Sequence, residues 1–160
     1  MTTGLQRRLL LLLLAPLFLL GGLNTWFDYR LAGDAMVHQD RALVALVPLL
    51  ADSVLSRNVS DDEPLPLLVA PAIEDFLVER KGLAAYSISN LEGKVRAGEV
   101  WLEGTSPLDA EPVFYTEEQG GVRYRVVVQR VRTVAGELVM RLADGSDVRQ
   151  QWLNQLWFKV

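Results

Sequence analysis

Cysteine is absent from the 160 residues. Disulfides, thiolate metal sites and a cysteine nucleophile are therefore excluded. Histidine occurs once, as His38, and no Ser-His-Asp arrangement, phosphate-cradling glycine loop or zinc-ligand spacing accompanies it. Basic residues are the scarcer charge, 16 against 20 acidic. Only Arg7 and Arg8 precede Asp28, so the remainder carries 14 basic and 20 acidic residues, a net charge of −6. Such a domain repels phosphate backbones, which argues against nucleic acid as a partner. No internal repeat is visible, and the length suits one ordinary domain plus one membrane segment.

Apolar sequence is concentrated at the start. Residues 9–23 form an unbroken apolar or Gly/Pro run behind Arg7 and Arg8. A cleaved signal peptide would need a small-residue site after this run, but "NTWFDYR" is bulky and polar. Read to Phe27, the segment gives roughly 28 Å of helix at ~1.5 Å per residue, against about 30 Å of hydrocarbon. Trp26 falls where aromatic side chains favour the membrane interface, and the two arginines belong in the cytoplasm. Pro16 is tolerable inside a membrane helix. The expected organisation is a cytoplasmic N-terminus (1–8), a transmembrane helix (9–27), a periplasmic domain (28–145) and a helix (146–160) aimed at a second span. The expected site is a cell membrane, with the chain from Asp28 onward outside the cytoplasm.

Beyond the anchor, Leu31, Ala35, Leu43, Leu46, Val47, Leu50 and Val54 repeat at helical spacing. Pro48 predicts a kink or restart near Val47. A short helix is expected over 67–80, with Ile73, Phe76 and Leu77 inward. The period then shortens. Strands are expected at 83–89, 94–102, 113–118, 122–131 and 137–143, mostly joined by tight turns. Asp144 is a candidate N-cap for a final amphipathic helix. The fold class is α/β of the α+β kind: a transmembrane helix, then a PAS-like extracytoplasmic domain whose five-stranded antiparallel sheet is flanked by long N- and C-terminal helices.

Three stretches carry a family resemblance: "LQRRLLLLLLAPLFLL", "DRALVALVPLLADSV" and "AAYSISNLEGKVRAG". The second offers Asp40, Arg41, Ala42 and Leu43; the third offers Tyr86, Gly93, Ala97 and Gly98. Together with "FYTEEQGGVRYRVVVQRV" and "GELVMRLADGSDVR", they resemble the N-terminal region of bacterial two-component sensor histidine kinases of the tricarboxylate-transport type. Gln39 stands where that pattern tends to an aromatic residue. The resemblance implies a signal-sensing domain that controls autophosphorylation and phosphotransfer to a response regulator. It also implies a homodimer, with the stripe through Leu43, Leu46 and Leu50 as a candidate seam. No cofactor is expected in this chain; ATP belongs to a kinase domain beyond it. The alternative is a free-standing anchored binding module that acts on a separate membrane partner.

Within the chain, catalytic residues are not expected. His38 lies outside the membrane, away from ATP, and reads as a solvated helix residue. Candidate ligand-binding residues are Tyr86, Tyr115 and Tyr124, each offering a ring and a hydroxyl. Arg123 and Arg125 could pair with a carboxylate on a small-molecule ligand; a solvated strand face cross-paired with Glu137 is the plainer reading of the arginines. "NVS" at Asn58 and "SDDE" read as ordinary loop sequence, and no metal is expected. If the anchor is retained, the protein keeps Met1 and stays in membranes washed with alkaline carbonate. Intact-mass measurement of that fraction checks this; a shortened soluble product would mean a cleaved signal.

Overall fold

The computed structural model describes residues 3–55 and 64–146. Helix α1 (Thr3–Asp52) comes first, then α2 (Pro71–Glu79) and strands β1 (Ala84–Ser89), β2 (Val95–Gly98), β3 (Val113–Gln119), β4 (Val122–Thr133) and β5 (Gly136–Asp144). The chain divides into two compact units, residues 1–38 and 39–160.

The first unit is the early part of α1. An 18-residue window here has mean hydropathy 1.9, and none of it is buried by protein. Leu12, Leu13, Leu17 and Phe18 are each at least two-thirds open. In water such a surface is unfavourable by about 25 cal/mol per Å²; in a bilayer it is matched. Near the end of the apolar run Trp26 and Phe27 meet edge-on at 5.3 Å, and the Arg30 guanidinium sits 5.4 Å from the Trp26 ring centre. This is the one described helix long and apolar enough to cross a membrane.

The second unit is built on a five-stranded antiparallel sheet in the order β2-β1-β5-β4-β3. One face is covered by the last turns of α1 and by α2. Leu43, Val47, Leu50, Val54, Ile73 and Phe76 pack there on Ile88, Val127, Leu138, Met140 and Leu142. Leu43 and Leu50 are buried against their own sheet, which accounts for most of the stripe proposed as a dimer seam. That packing also bears on Pro48. The helix is continuous through it to Asp52, so it does not restart near Val47. Tertiary packing supplies most helix stability in proteins, and the residues flanking the proline are anchored on the sheet. At the helix end Ser53 donates to the Leu49 carbonyl and accepts from the Ala70 amide.

Two boundaries differ from the expected ones by more than two residues. Residues 67–70 are extended, and Val54 bridges Leu67. Pro71 then opens α2, because a proline lacks the N–H that the first turn leaves unused anyway. The second strand stops at Gly98 instead of 102. Gly98 has φ of 86°, and a Cβ there would lie 2.1 Å from the Tyr86 oxygen. The Glu99 amide bonds that same oxygen at 2.8 Å. Trp101 and Leu102 therefore turn back over the sheet. Asp144 ends β5. Its Oδ1 accepts from the Ser146 amide at 2.9 Å and from the Ser146 hydroxyl, while Oδ2 lies 3.6 Å from Arg80. The expected helix over 146–160 and the 58–63 loop lie outside the described residues.

The Asp40-Arg41-Ala42-Leu43 stretch divides by helix face. Asp40 and Leu43 turn to the sheet, whereas Arg41 and Ala42 are exposed. Leu50→Ala is expected to cost about 2–5 kcal/mol through the cavity it leaves. Leu46→Asp should also destabilise, since Leu46 is half-buried against the core. Gly98→Ala should destabilise more than Gly82→Ala, where a Cβ meets nothing within 4 Å. Urea unfolding of the purified chain measures all four.

Candidate functional site: a loop-covered cavity over a buried arginine

The second face of the sheet is unlike the first. Strand alternation places Ala85, Ser87 and Ser89 of β1, Val139, Arg141 and Ala143 of β5, and Tyr124, Val126 and Val128 of β4 on it. From β3 come Val113, Tyr115 and Glu117. No helix among the described residues covers this face. It is closed by the segment between β2 and β3, with Leu102 fully buried and Trp101 against Tyr124 at 5.0 Å between ring centres.

Arg141 is the centre of this face. It is 1% exposed and sits beside Ser87 and Val128 in register. Its Nη1 donates to Ser89 Oγ at 2.7 Å, and Nη2 to the carbonyls of Gly104 at 2.8 Å and Thr105 at 3.3 Å. Other ties hold the covering segment. Ser87 donates to the Leu102 carbonyl at 2.6 Å, Ser106 to Leu91 at 2.8 Å and Gln129 to Ala110 at 2.9 Å.

A cavity of about 380 Å³ remains between this segment and the sheet. Arg141, Tyr115 and Val128 line it from the sheet; Glu103, Gly104 and Thr105 line it from the segment; Glu117 and Thr116 stand on β3. Among the described residues no carboxylate lies within ion-pair distance of Arg141. A buried cation of this kind is costly unless hydrogen-bonded or paired. Desolvation accordingly lowers the Arg141 pKa, and the Tyr115 hydroxyl and the charges of Glu117 and Glu103 oppose that shift. The guanidinium nevertheless stays charged. Burial raises the Tyr115 pKa above 10, and the Glu117 charge adds to it. Glu117 Oε2 is buried and has no hydrogen-bond partner.

The five residues expected from sequence are separated by the sheet. Tyr115 lines the cavity. Tyr124 is on the same face but is packed under Trp101. Tyr86 lies on the helix-covered face. Arg125 is on that face too, where Nε and Nη2 grip Asp40 Oδ1 and Oδ2 at 2.8 and 2.9 Å. Arg123 is exposed, opposite Glu118 near the β3–β4 turn. The cross-pairing with Glu137 is made by Arg130. Arg141 was not among the expected residues. Its signal was available: one charge inside "LVMRLA", a strand apolar on both faces.

Comparison with known proteins agrees with this architecture. Residues 17–156 match the family model described as two-component sensor kinase N-terminal. The chain belongs to that family, which implies a membrane context and a response regulator downstream. No curated protein and no solved structure matches.

Arg141→Met removes three hydrogen bonds at once. It should destabilise by about 1–3 kcal/mol and speed amide exchange over 103–106, as read by hydrogen-exchange mass spectrometry. Tyr115 is an acid whose folded pKa is raised. Its contribution is thus full below pH ~10 and is lost as pH rises through the folded value. Tyr115→Phe should flatten the alkaline end of the stability profile.

Proposed function

We propose that this chain is the ligand-sensing, extracytoplasmic part of a two-component histidine kinase, held by α1 in the bacterial inner membrane. The assignment of segments follows the sequence: 1–8 cytoplasmic, 9–27 spanning, 28–145 periplasmic and 146–160 leading toward a second span. The strand order β2-β1-β5-β4-β3 with helices on one face supports a PAS-like reading of the domain. The cavity over Arg141 is the ligand site in this proposal. A guanidinium on its floor favours an anionic group, and its volume falls in the range of small-molecule sites.

The observation that carries the relay is the pair Arg125–Asp40. It ties the sheet to α1 through two hydrogen bonds, with both side chains about four-fifths buried. Arg125 also lies over the Phe114 ring at 5.5 Å. Asp40 belongs to the same helical element as the anchor. A ligand that reseats the covering segment strains β3 to β5, and the ion pair hands that displacement to α1. In a homodimer the two copies of α1 would then shift relative to each other. Kinase autophosphorylation and transfer to the response regulator follow in the cytoplasm, with ATP bound there.

The test is a chimera. Residues 1–160 are joined to the second span and cytoplasmic part of a characterised sensor kinase, and histidine phosphorylation is measured in membranes. Asp40→Ala and Arg125→Ala should each change the basal level at least threefold, and the double variant should add little to either. Equal phosphorylation in all four proteins, each shown to be folded, would sink the relay. It would favour the free-standing binding module instead.

A further inference from the structure

The charges around the cavity point to a narrower ligand class. The lining holds one cation, Arg141, and two carboxylates, Glu103 and Glu117. A ligand with several negative charges finds one attractive group and two repulsive ones. A plain monocarboxylate would satisfy Arg141 and leave Glu117 as it is. Glu117 lines the cavity as a half-buried carboxylate on the edge strand. A metal ion is one way to meet it, but no cluster of three metal-ligating side chains occurs among the described residues. An ammonium group fits better, with three N–H donors and one positive charge.

The geometry of the sheet sets the two poles. Arg141 lies on the central strand and Glu117 on the edge strand, with Val128 and Tyr115 in the same cavity. Tyr115 and Glu117 are two residues apart, so both face the cavity from one strand. Ser89, Gly104 and Thr105 take three of the five guanidinium donors, which leaves capacity toward the cavity.

We propose that the cavity binds a small zwitterion of the free amino acid class, its carboxylate on Arg141 and its ammonium on Glu117. This rests on the reading of the cavity as the ligand site, and it names the chemistry that reading left open. Val113 and Val128 form the apolar wall available to a side chain. A tricarboxylate is disfavoured by the same charges.

The experiment is isothermal titration of the full chain in nanodiscs with the twenty amino acids, with citrate, and with citrate plus Mg²⁺. For the tightest amino acid, the N-acetyl derivative and the decarboxylated amine are titrated too. At least one amino acid should bind, and loss of either its ammonium or its carboxylate should weaken binding at least tenfold. Glu117→Gln should weaken the amino acid at least tenfold while leaving the N-acetyl form unchanged or improved. Circular dichroism shows whether each variant is folded. Two results overturn the proposal: no amino acid binds, or Glu117→Gln leaves amino acid affinity intact. Citrate binding that is lost in Arg141→Gln would then keep the cavity as a ligand site for another class. If neither amino acids nor citrate bind, the cavity reading falls as well, while the phosphorylation test of Asp40 and Arg125 still judges the relay.

Discussion

A positive charge placed on the middle strand of a sheet, out of reach of water, constrains everything on that side of the domain. Arg141 is 1% exposed, and a guanidinium in such a place must collect acceptors or destabilise the fold. It collects a serine hydroxyl from β1 and two carbonyls from the covering segment. Carbonyls can reach it because that segment is irregular. In a helix or strand they would be engaged along the backbone. The need of one side chain thus explains why a loop rather than a helix closes this face. It also explains why the closure is polar and leaves space above the sheet.

The two faces divide the work. On the helix-covered face the packing is apolar and continuous, from Leu43 to Leu142, and the Asp40–Arg125 pair adds a two-bond polar tie to α1. On the other face the apolar cluster is small, around Leu102, Tyr124 and Val126, and charge governs the rest. A sheet stiffened on one side and loosely covered on the other can respond to what enters the loose side without losing its core. The stiff side is also where α1 attaches. A displacement on one face therefore has a route to the other through β4 and β5, whose residues alternate between them.

Much of this was legible in the residues. Period-two alternation and glycine-bearing turns located all five strands, and the leucine block located the anchor helix. Boundaries failed where a single backbone demand outweighed pattern. Pro71 set the start of α2, and Gly98 ended β2 because its backbone crosses the Tyr86 carbonyl. The site was harder to see. Alternation correctly separates Arg123 and Arg125 from Val122 and Tyr124, but it says nothing about which face the helices cover. Tyr86 and Tyr115 could therefore be grouped only on paper. Arg141 shows in the sequence as the lone charge of "LVMRLA", but only the register places it under a loop.

The domain's entry and exit are neighbours. The Gln39 side chain donates to the Asp144 carbonyl at 3.5 Å, and Asp144 is held in turn by Ser146 and Arg80. A fold whose two ends emerge side by side can be spliced between two connectors without altering their separation. Gene shuffling could replace such an insert by another of equal footprint, or lengthen the loops on its far side, and the segments joined to it would keep their spacing. A domain built this way is free to change what lies over its sheet while its two ends stay where they are.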